Sequence, residues 1–426
     1  MNKAEQHIST LVRESRDAGD VILLESQMTG HPASTKSYLA MQPAAYIKAR
    51  GNETEIWDGE SVQVFTGDPW DYLSRFKKEH NEWLFGYLGY DLKNHIENLK
   101  SNNKELINAP DLYFMVPEIL VEVDATGKVK YIKGEPNQTL KKGKESGEIS
   151  ITLKNQISES EYIRKVKQAK KDIYEGRYYE INLSHPLEFE IKGDSWDLYE
   201  AMKTAGPVPF GGYANIGHLS ICCSSPERFL ARSGNRVWSQ PIKGTASRKA
   251  GKKVLVDIEK LRQSEKERAE NLMIVDLVRN DLSRVAELQS VKVSNLFEIQ
   301  SFETVHQMVS TVECTVPDQT DSIEIIKHCF PMGSMTGAPK IASMEAIEKY
   351  EDYKRGIYSG AMGYITPEGD FDFNVIIRTA ISEGEKLVYP VGGAITSDSD
   401  PMAEWEETLI KARAITTILE NLEEAE

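Results

Sequence analysis

The run Ile357-Tyr358-Ser359-Gly360-Ala361-Met362-Gly363-Tyr364-Ile365-Thr366 ends in Pro367-Glu368-Gly369-Asp370. Phe371 to Ile381 then leads to Glu383-Gly384, and Lys386 to Thr396 follows. Three strand-like runs separated by two short turn signals predict an antiparallel meander over 357–366, 371–381 and 386–396. A final helix is expected from about Met402 to Leu422. Consecutive hairpins, rather than strands alternating with helices, place the chain in the α+β class, with antiparallel sheets and packed helices.

Upstream, the same reading continues. Val21–Ser26, Tyr46–Ala49 and Ser61–Phe65 are strand candidates with turn signals at Gly51-Asn52 and Asp58-Gly59. Trp83–Tyr90 is apolar and glycine-rich, which suits a core strand where backbones approach closely. Residues 134–149 are polar and rich in Gly and Lys, and read as a linker or surface loop. The chain therefore divides into 1–133, the linker, and a larger region at 150–426. In that region Ser158-Glu159-Ser160-Glu161 starts a helix to about Tyr174, and strands are expected at 178–184 and 219–224. A helix is expected from about Val254 to Arg279, with Leu272, Val275, Val278, Leu282 and Val285 facing the core. The loop Pro331–Ala338 leads into another helix at Pro339.

The 426 residues carry 51 Lys and Arg against 66 Asp and Glu, a net charge of −15. That balance argues against nucleic acid, so no nucleic-acid partner is expected. An anionic substrate needs locally placed cations or a metal. No apolar run reaches membrane-spanning length, and the polar start Met1-Asn2-Lys3-Ala4-Glu5 leads into no apolar signal segment. The four cysteines, Cys222, Cys223, Cys314 and Cys329, have no CxxC spacing and read as buried free thiols. A cytoplasmic protein with no membrane partner is the expectation.

Several groups are candidates for chemistry. Ser239-Gln240-Pro241-Ile242-Lys243-Gly244-Thr245-Ala246-Ser247-Arg248 reads as a turn holding one lysine. In a pocket Lys243 becomes an amine nucleophile; otherwise it is a solvated charge. Glu267 and Glu270, and again Glu404 and Glu407, stand three apart on helices. Each pair can aim its oxygens at one point, and two such helices face to face suit magnesium; alone, each pair is an ordinary solvated face. Lys411 lies four residues beyond Glu407. Arg378 sits among apolar strand neighbours and needs a carboxylate from protein or ligand. Thr336 to Lys340 places N–H groups at a helix start, which serves an anion or a plain cap. Gly392-Gly393 lets a ligand approach the backbone, or marks a bulge. His306 is a strand histidine, and Glu227 follows a proline at a strand end.

Together these segments resemble one family over about 155–420, the chorismate-utilising enzymes. The resemblance rests on Ser225-Pro226-Glu227-Arg228-Phe229, Pro241-Ile242-Lys243-Gly244-Thr245, Arg268 to Leu282, Gly333-Ser334-Met335-Thr336-Gly337-Ala338-Pro339-Lys340, and Gly392-Gly393 followed by Glu404-Trp405-Glu406-Glu407-Thr408. It implies antiparallel sheets packed as a two-subdomain sandwich with flanking helices, and chorismate as substrate. It implies Mg²⁺ bridging the ring carboxylate to Glu270 and Glu407, with Glu267 and Glu404 behind them. Arg378 and Tyr358 would hold the enolpyruvyl carboxylate. Lys411, Thr336, Thr245 and the Gly392-Gly393 backbone would line the pocket, with His306 near the ring carboxylate and Glu227 the acid that helps the 4-hydroxyl leave.

Within the family, lysine at position 243 marks the aminodeoxychorismate branch, where it attacks ring C2; anthranilate- and isochorismate-forming members usually carry alanine. Water-adding members place a lysine base where Glu180 stands. The reading expects burial beside Arg378, Lys411 and the metal to lower the Lys243 pKa, with the glutamates opposing. Ala246-Ser247-Arg248 departs from the family, which usually has proline before the arginine. No cysteine stands in a glycine-rich nucleophile turn, so ammonia is expected from a separate glutamine amidotransferase subunit or from solution. Leu23-Leu24-Glu25-Ser26 resembles the wall of an indole pocket, with Tyr38 and Pro209 as other walls, or is only a strand end.

Overall fold

The computed structural model describes residues 3–16, 18–28, 35–136, 147–247, 254–301 and 305–423. Among these, twenty-one strands are joined by hydrogen bonds and nine α-helices flank them. The strand pairings are antiparallel, so the α+β expectation holds. Most of the linker and Arg248 lie outside the described residues.

The N-terminal strands are continuous with the later ones. Val21–Glu25 pairs with Phe210–Ile216, and Leu84–Leu88 pairs with Ala361–Ile365. In the second pair Gly86 lies opposite Gly363. A Cβ on Gly86 would lie 1.9 Å from the Tyr113 carbonyl oxygen, and one on Gly363 2.1 Å from that of Asp372. Only glycine permits this close approach. Neighbouring residues of one strand face opposite cores: Ile22 joins one cluster, Val21 and Leu23 the other. One core packs the strands against helices Pro69–His80, Glu265–Ser283 and Ser322–Cys329. The other packs them against Lys3–Ser15, Ser195–Ala205 and Pro401–Glu423.

The meander is more broken than its turns suggested. Its first strand is Ala361–Ile365, because 357–360 form a turn with Ser359 at φ 63°. The expected strand 371–381 divides into Phe371–Val375 and Thr379–Glu383. The first half pairs with Arg228–Ser233 and the second with Leu219–Ser225. The chain changes partners at 376–378, where Arg378 holds φ 51°. Left-handed backbone at a non-glycine residue is strained and has to be held by its surroundings.

The expected helix 254–279 is also two helices, Val254–Gln263 and Glu265–Ser283. Ser264 interrupts it and accepts from the Glu267 N–H at 3.3 Å, an N-cap in mid-run. The buried stripe is Asn271, Ile274, Val275, Val278 and Leu282, while Leu272 is 46 % exposed. The Ser158 cap and the helix Glu159–Tyr174 are as read, and all four cysteines are buried and free.

Candidate active site

The lysine stretch is not a turn. Ile242–Ser247 is a strand along Val305–Thr315, and its register slips by one residue between Ile242 and Thr245. Gly244 takes φ 85° in this bulge. A Cβ there would come within 2.9 Å of Glu267 Oε2, so the glycine lets the carboxylate helix close over the strand. The bulge turns Lys243 inward, where Nζ donates to Glu180 Oε1 at 2.8 Å. The two side chains are 11 % and 1 % exposed, so the solvated-charge reading fails. Burial alone would lower the lysine pKa, but Glu180, Glu270 and Glu227 more than offset it and push it above the ordinary value. The expected lowering is therefore reversed: in the protein alone three carboxylates outweigh burial.

Glu227 is buried just beyond the strand Leu219–Ser225. Burial pushes its carboxyl up to about 7, against the pull of Lys243 and Arg378. Arg378 forms no ion pair among the described residues; its carbonyl accepts from the Ser224 N–H at 3.2 Å. Tyr358 is brought alongside by the turn 357–360, whose Ser359 N–H donates to the Ile376 carbonyl at 2.9 Å. Beside them Tyr389 has a buried hydroxyl with no partner among the described residues. Arg378 opposes, and Tyr358 adds to, the rise that burial causes in the Tyr389 pKa. The sequence reading missed Tyr389, because a tyrosine in an apolar strand gives no sign of an unmatched hydroxyl.

The two carboxylate helices converge, which the spacing of each pair alone left open: Glu407 acts on Glu267, and both Glu404 and Glu407 lie close to Gly393. Glu270 is pushed up to about 7 by burial, with Glu267 adding and Lys243 opposing. Burial also raises Glu267 and Glu404, and Glu407 adds to both. Burial would raise Glu407, but Lys411, 2.7 Å away, together with Lys243 and Lys266 holds it below the ordinary range. Lys411 Nζ also donates to the Gly392 carbonyl at 2.7 Å. A Cβ on Gly393 would stand 3.2 Å from Glu404 and 3.6 Å from Glu407, so the glycine opens the strand toward these oxygens.

No group of three or more His, Cys, Asp or Glu among the described residues is placed to hold a metal ion by itself. Magnesium needs less, commonly one or two carboxylates with water and substrate oxygens completing its shell. Glu267, Glu270 and Glu404 are raised by burial with like charge adding, and Glu407 stands ionised beside them; an all-oxygen donor set of this kind is one a hard cation would neutralise, so the residues fit it.

The other candidate residues surround this centre. Thr336 is fully buried, and its hydroxyl lies 3.3 Å from the Met332 and Gly333 carbonyls. Its loop is no open anion nest, because Gly337–Ala338 pairs with Ile181 and Glu180. His306 is buried with Nδ1 2.8 Å from the Ser301 hydroxyl. The Thr245 side chain lies outside the described residues. Buried polar atoms without a partner among the described residues gather here: Glu180 Oε2, Asn182 Oδ1 and Ser224 Oγ. Such groups are costly unless something polar meets them.

Leu24, Ser26, Tyr38 and Pro209 line one cavity of about 90 Å³ with Phe210, Met362 and Tyr364. A larger cavity, about 360 Å³, is bordered by Asp91, His95, Tyr353, Lys354 and Arg355 and includes none of Glu180, Glu227, Glu267, Glu270, Glu404 and Glu407.

The profile of the chorismate binding enzymes matches residues 19–417. The chain is 32 % identical to anthranilate synthase component 1 of Aquifex aeolicus, over 95 % of this chain and 90 % of that one. It is 30 % identical to aminodeoxychorismate synthase component 1 of Escherichia coli, over 94 % and 93 %. Its fold matches the crystal structure of anthranilate synthase component I from Streptococcus pneumoniae at a TM-score of 0.78 and 26 % identity, covering 91 % and 93 %.

Proposed function

We propose a reaction for this chain, which belongs to the chorismate binding enzyme family: it replaces the 4-hydroxyl of chorismate with an amino group, giving 4-amino-4-deoxychorismate for folate synthesis. The observation that carries this reading is the buried Lys243, held 2.8 Å from Glu180 inside the site. A lysine sequestered there has no solvent role and stands where an amine nucleophile is needed.

The chain's own residues supply the steps. Arg378, lacking a protein carboxylate among the described residues, takes one carboxylate of the dianion, with Tyr358 beside it. Bound Mg²⁺, held by Glu270 and Glu407 with Glu267 and Glu404 behind, would neutralise the ring carboxylate. The Lys243 ammonium first gives up its proton, and Glu180 is the adjacent acceptor. The free amine bonds to C2, the two ring double bonds shift, and the C4–O bond breaks. Glu227, protonated in part near pH 7, gives the departing oxygen its proton so that water leaves. Ammonia then bonds to C4, the double bonds shift back, and the C2–N bond to Lys243 breaks. Glu180 also bears on product choice, since a lysine base for water is not available at that position.

The relatives named component 1 support a second subunit, and we assign it the supply of ammonia from glutamine in a cytoplasmic complex. The similarity to anthranilate synthase component 1 keeps a second reading, amination at C2 with loss of pyruvate. Incubation with chorismate, ammonium and Mg²⁺ and analysis of the product by mass separates them. Aminodeoxychorismate is expected; anthranilate as the main product would replace the first reading with the second.

A further inference from the structure

Behind the site lies an ion pair that the reaction itself does not use. Arg355 and Glu351 are four residues apart, and each side chain is 1 % exposed. All five N–H groups of the Arg355 guanidinium are engaged. Nε and Nη2 donate to the Glu351 carboxylate at 2.8 and 2.6 Å. Nη2 also donates to the Asn182 carbonyl at 2.8 Å. Nη1 donates to the Met335 carbonyl at 2.6 Å and the Ser359 hydroxyl at 3.1 Å. Glu351 Oε1 in turn accepts from the Ser184 N–H at 2.8 Å and its hydroxyl at 2.7 Å. The Tyr353 hydroxyl closes the network at 2.7 Å from that of Ser184.

These contacts reach three separate segments, the strand of Asn182 and Ser184, the loop of Met335 and the turn of Ser359, and each carries part of the site. Asn182 is two residues from Glu180, the Lys243 partner, and its N–H donates to the Thr336 carbonyl. Met335 precedes Thr336. Ser359 follows Tyr358. Ser184 lies opposite Gly392 in the sheet. A planar fork with five donors in fixed directions sets distances between the groups it joins, which a lysine or an apolar contact cannot do. A buried pair is weak evidence for stability in itself, because desolvation offsets much of the attraction. Its distinctive product here is geometry.

We propose that Arg355–Glu351 is a positioning unit for the chorismate site, holding the segments of Glu180, Thr336, Tyr358 and Gly392 at the mutual spacing that substrate binding requires. This rests on the chorismate reading above. The test measures chorismate consumption with ammonium and Mg²⁺ for the wild type, Arg355→Lys and Tyr353→Phe, with thermal melts to fix the folded fraction.

Arg355→Lys keeps the charge and loses the fork; corrected for folded fraction, its KM for chorismate should rise or its kcat fall by roughly ten- to a hundredfold, because displacement by about 1 Å costs up to that much. Tyr353→Phe removes only the hydroxyl on Ser184, and should lower kcat/KM by about two- to tenfold at nearly unchanged melting temperature. A purely structural pair would lower the melting temperature and leave both constants of the folded molecules unchanged, and that outcome overturns the proposal. If Arg355→Lys does not fold, Tyr353→Phe decides alone, and wild-type constants there overturn it. A wild type that consumes no chorismate defeats the chorismate reading instead, so the two failures are distinct.

Discussion

At the scale of single residues, the site is a balance between burial and opposite charge. Lys243 is buried yet held charged by the carboxylates around it, whereas Glu227 is pushed up to about 7 because burial outweighs its two cations. A raised carboxyl is protonated below its pKa, so an acid role for Glu227 is intact below about 7 and lost as pH rises through that value. The rate profile should therefore show a falling limb near there. Glu227→Gln should remove that limb and slow turnover by about 10²–10⁴-fold, the usual worth of a positioned acid. A limb that persists in the glutamine variant assigns it to another group. Lys243→Ala should cut aminodeoxychorismate formation by at least ~100-fold, about 2.7 kcal/mol of barrier. It should also abolish any ring adduct on the peptide containing residue 243, read by mass after incubation without ammonia. Wild-type turnover by the alanine variant would remove the nucleophile role.

At the scale of elements, small local devices aim these groups. Ser264 ends one helix and caps the next, which carries Glu267 and Glu270. Ser264→Ala should destabilise the protein by about 0.5–2 kcal/mol and raise the Mg²⁺ concentration needed for half-maximal rate. A melt and a magnesium titration that both match the wild type would show that the cap is idle. The packing of Gly86 against Tyr113 and Phe114 gives a larger expected effect. Gly86→Ala puts a methyl 1.9 Å from a backbone oxygen, and should destabilise by about 3 kcal/mol or more, at the upper end of overpacking costs. Gly147→Ala, where nothing lies within 4 Å, should leave the melt unchanged. Equal melts for the two variants would contradict the close packing.

At the scale of the whole molecule, a chain of net charge −15 is proposed to bind a dianion, so local cations have to overcome the global field. With Lys411 and Lys243 already paired to glutamates, removal of Mg²⁺ by chelator should bring turnover to background, and added Mg²⁺ should restore it. Full activity in excess chelator would refute the assignment to Glu270 and Glu407. Much of the organisation was legible in the sequence where its cause is local. The Pro367–Asp370 and Glu383-Gly384 turns, the Ser158 cap and the i,i+3 glutamates depend on neighbours a few residues away, so residue type and spacing were enough. The resemblance then named the residues of a centre that spacing alone left as ordinary surface charges. Tertiary structure decided what depends on distant partners. Lys243 meets Glu180 across 63 residues, Arg378 marks a change of strand partner, and Leu272 is exposed where periodicity placed it in the core. Glu351 and Arg355 read along the chain as an unremarked i,i+4 pair. Only the fold surrounds them with Asn182, Ser184, Met335 and Ser359, because hydrogen bonds depend on direction and burial, and neither exists until the segments have packed.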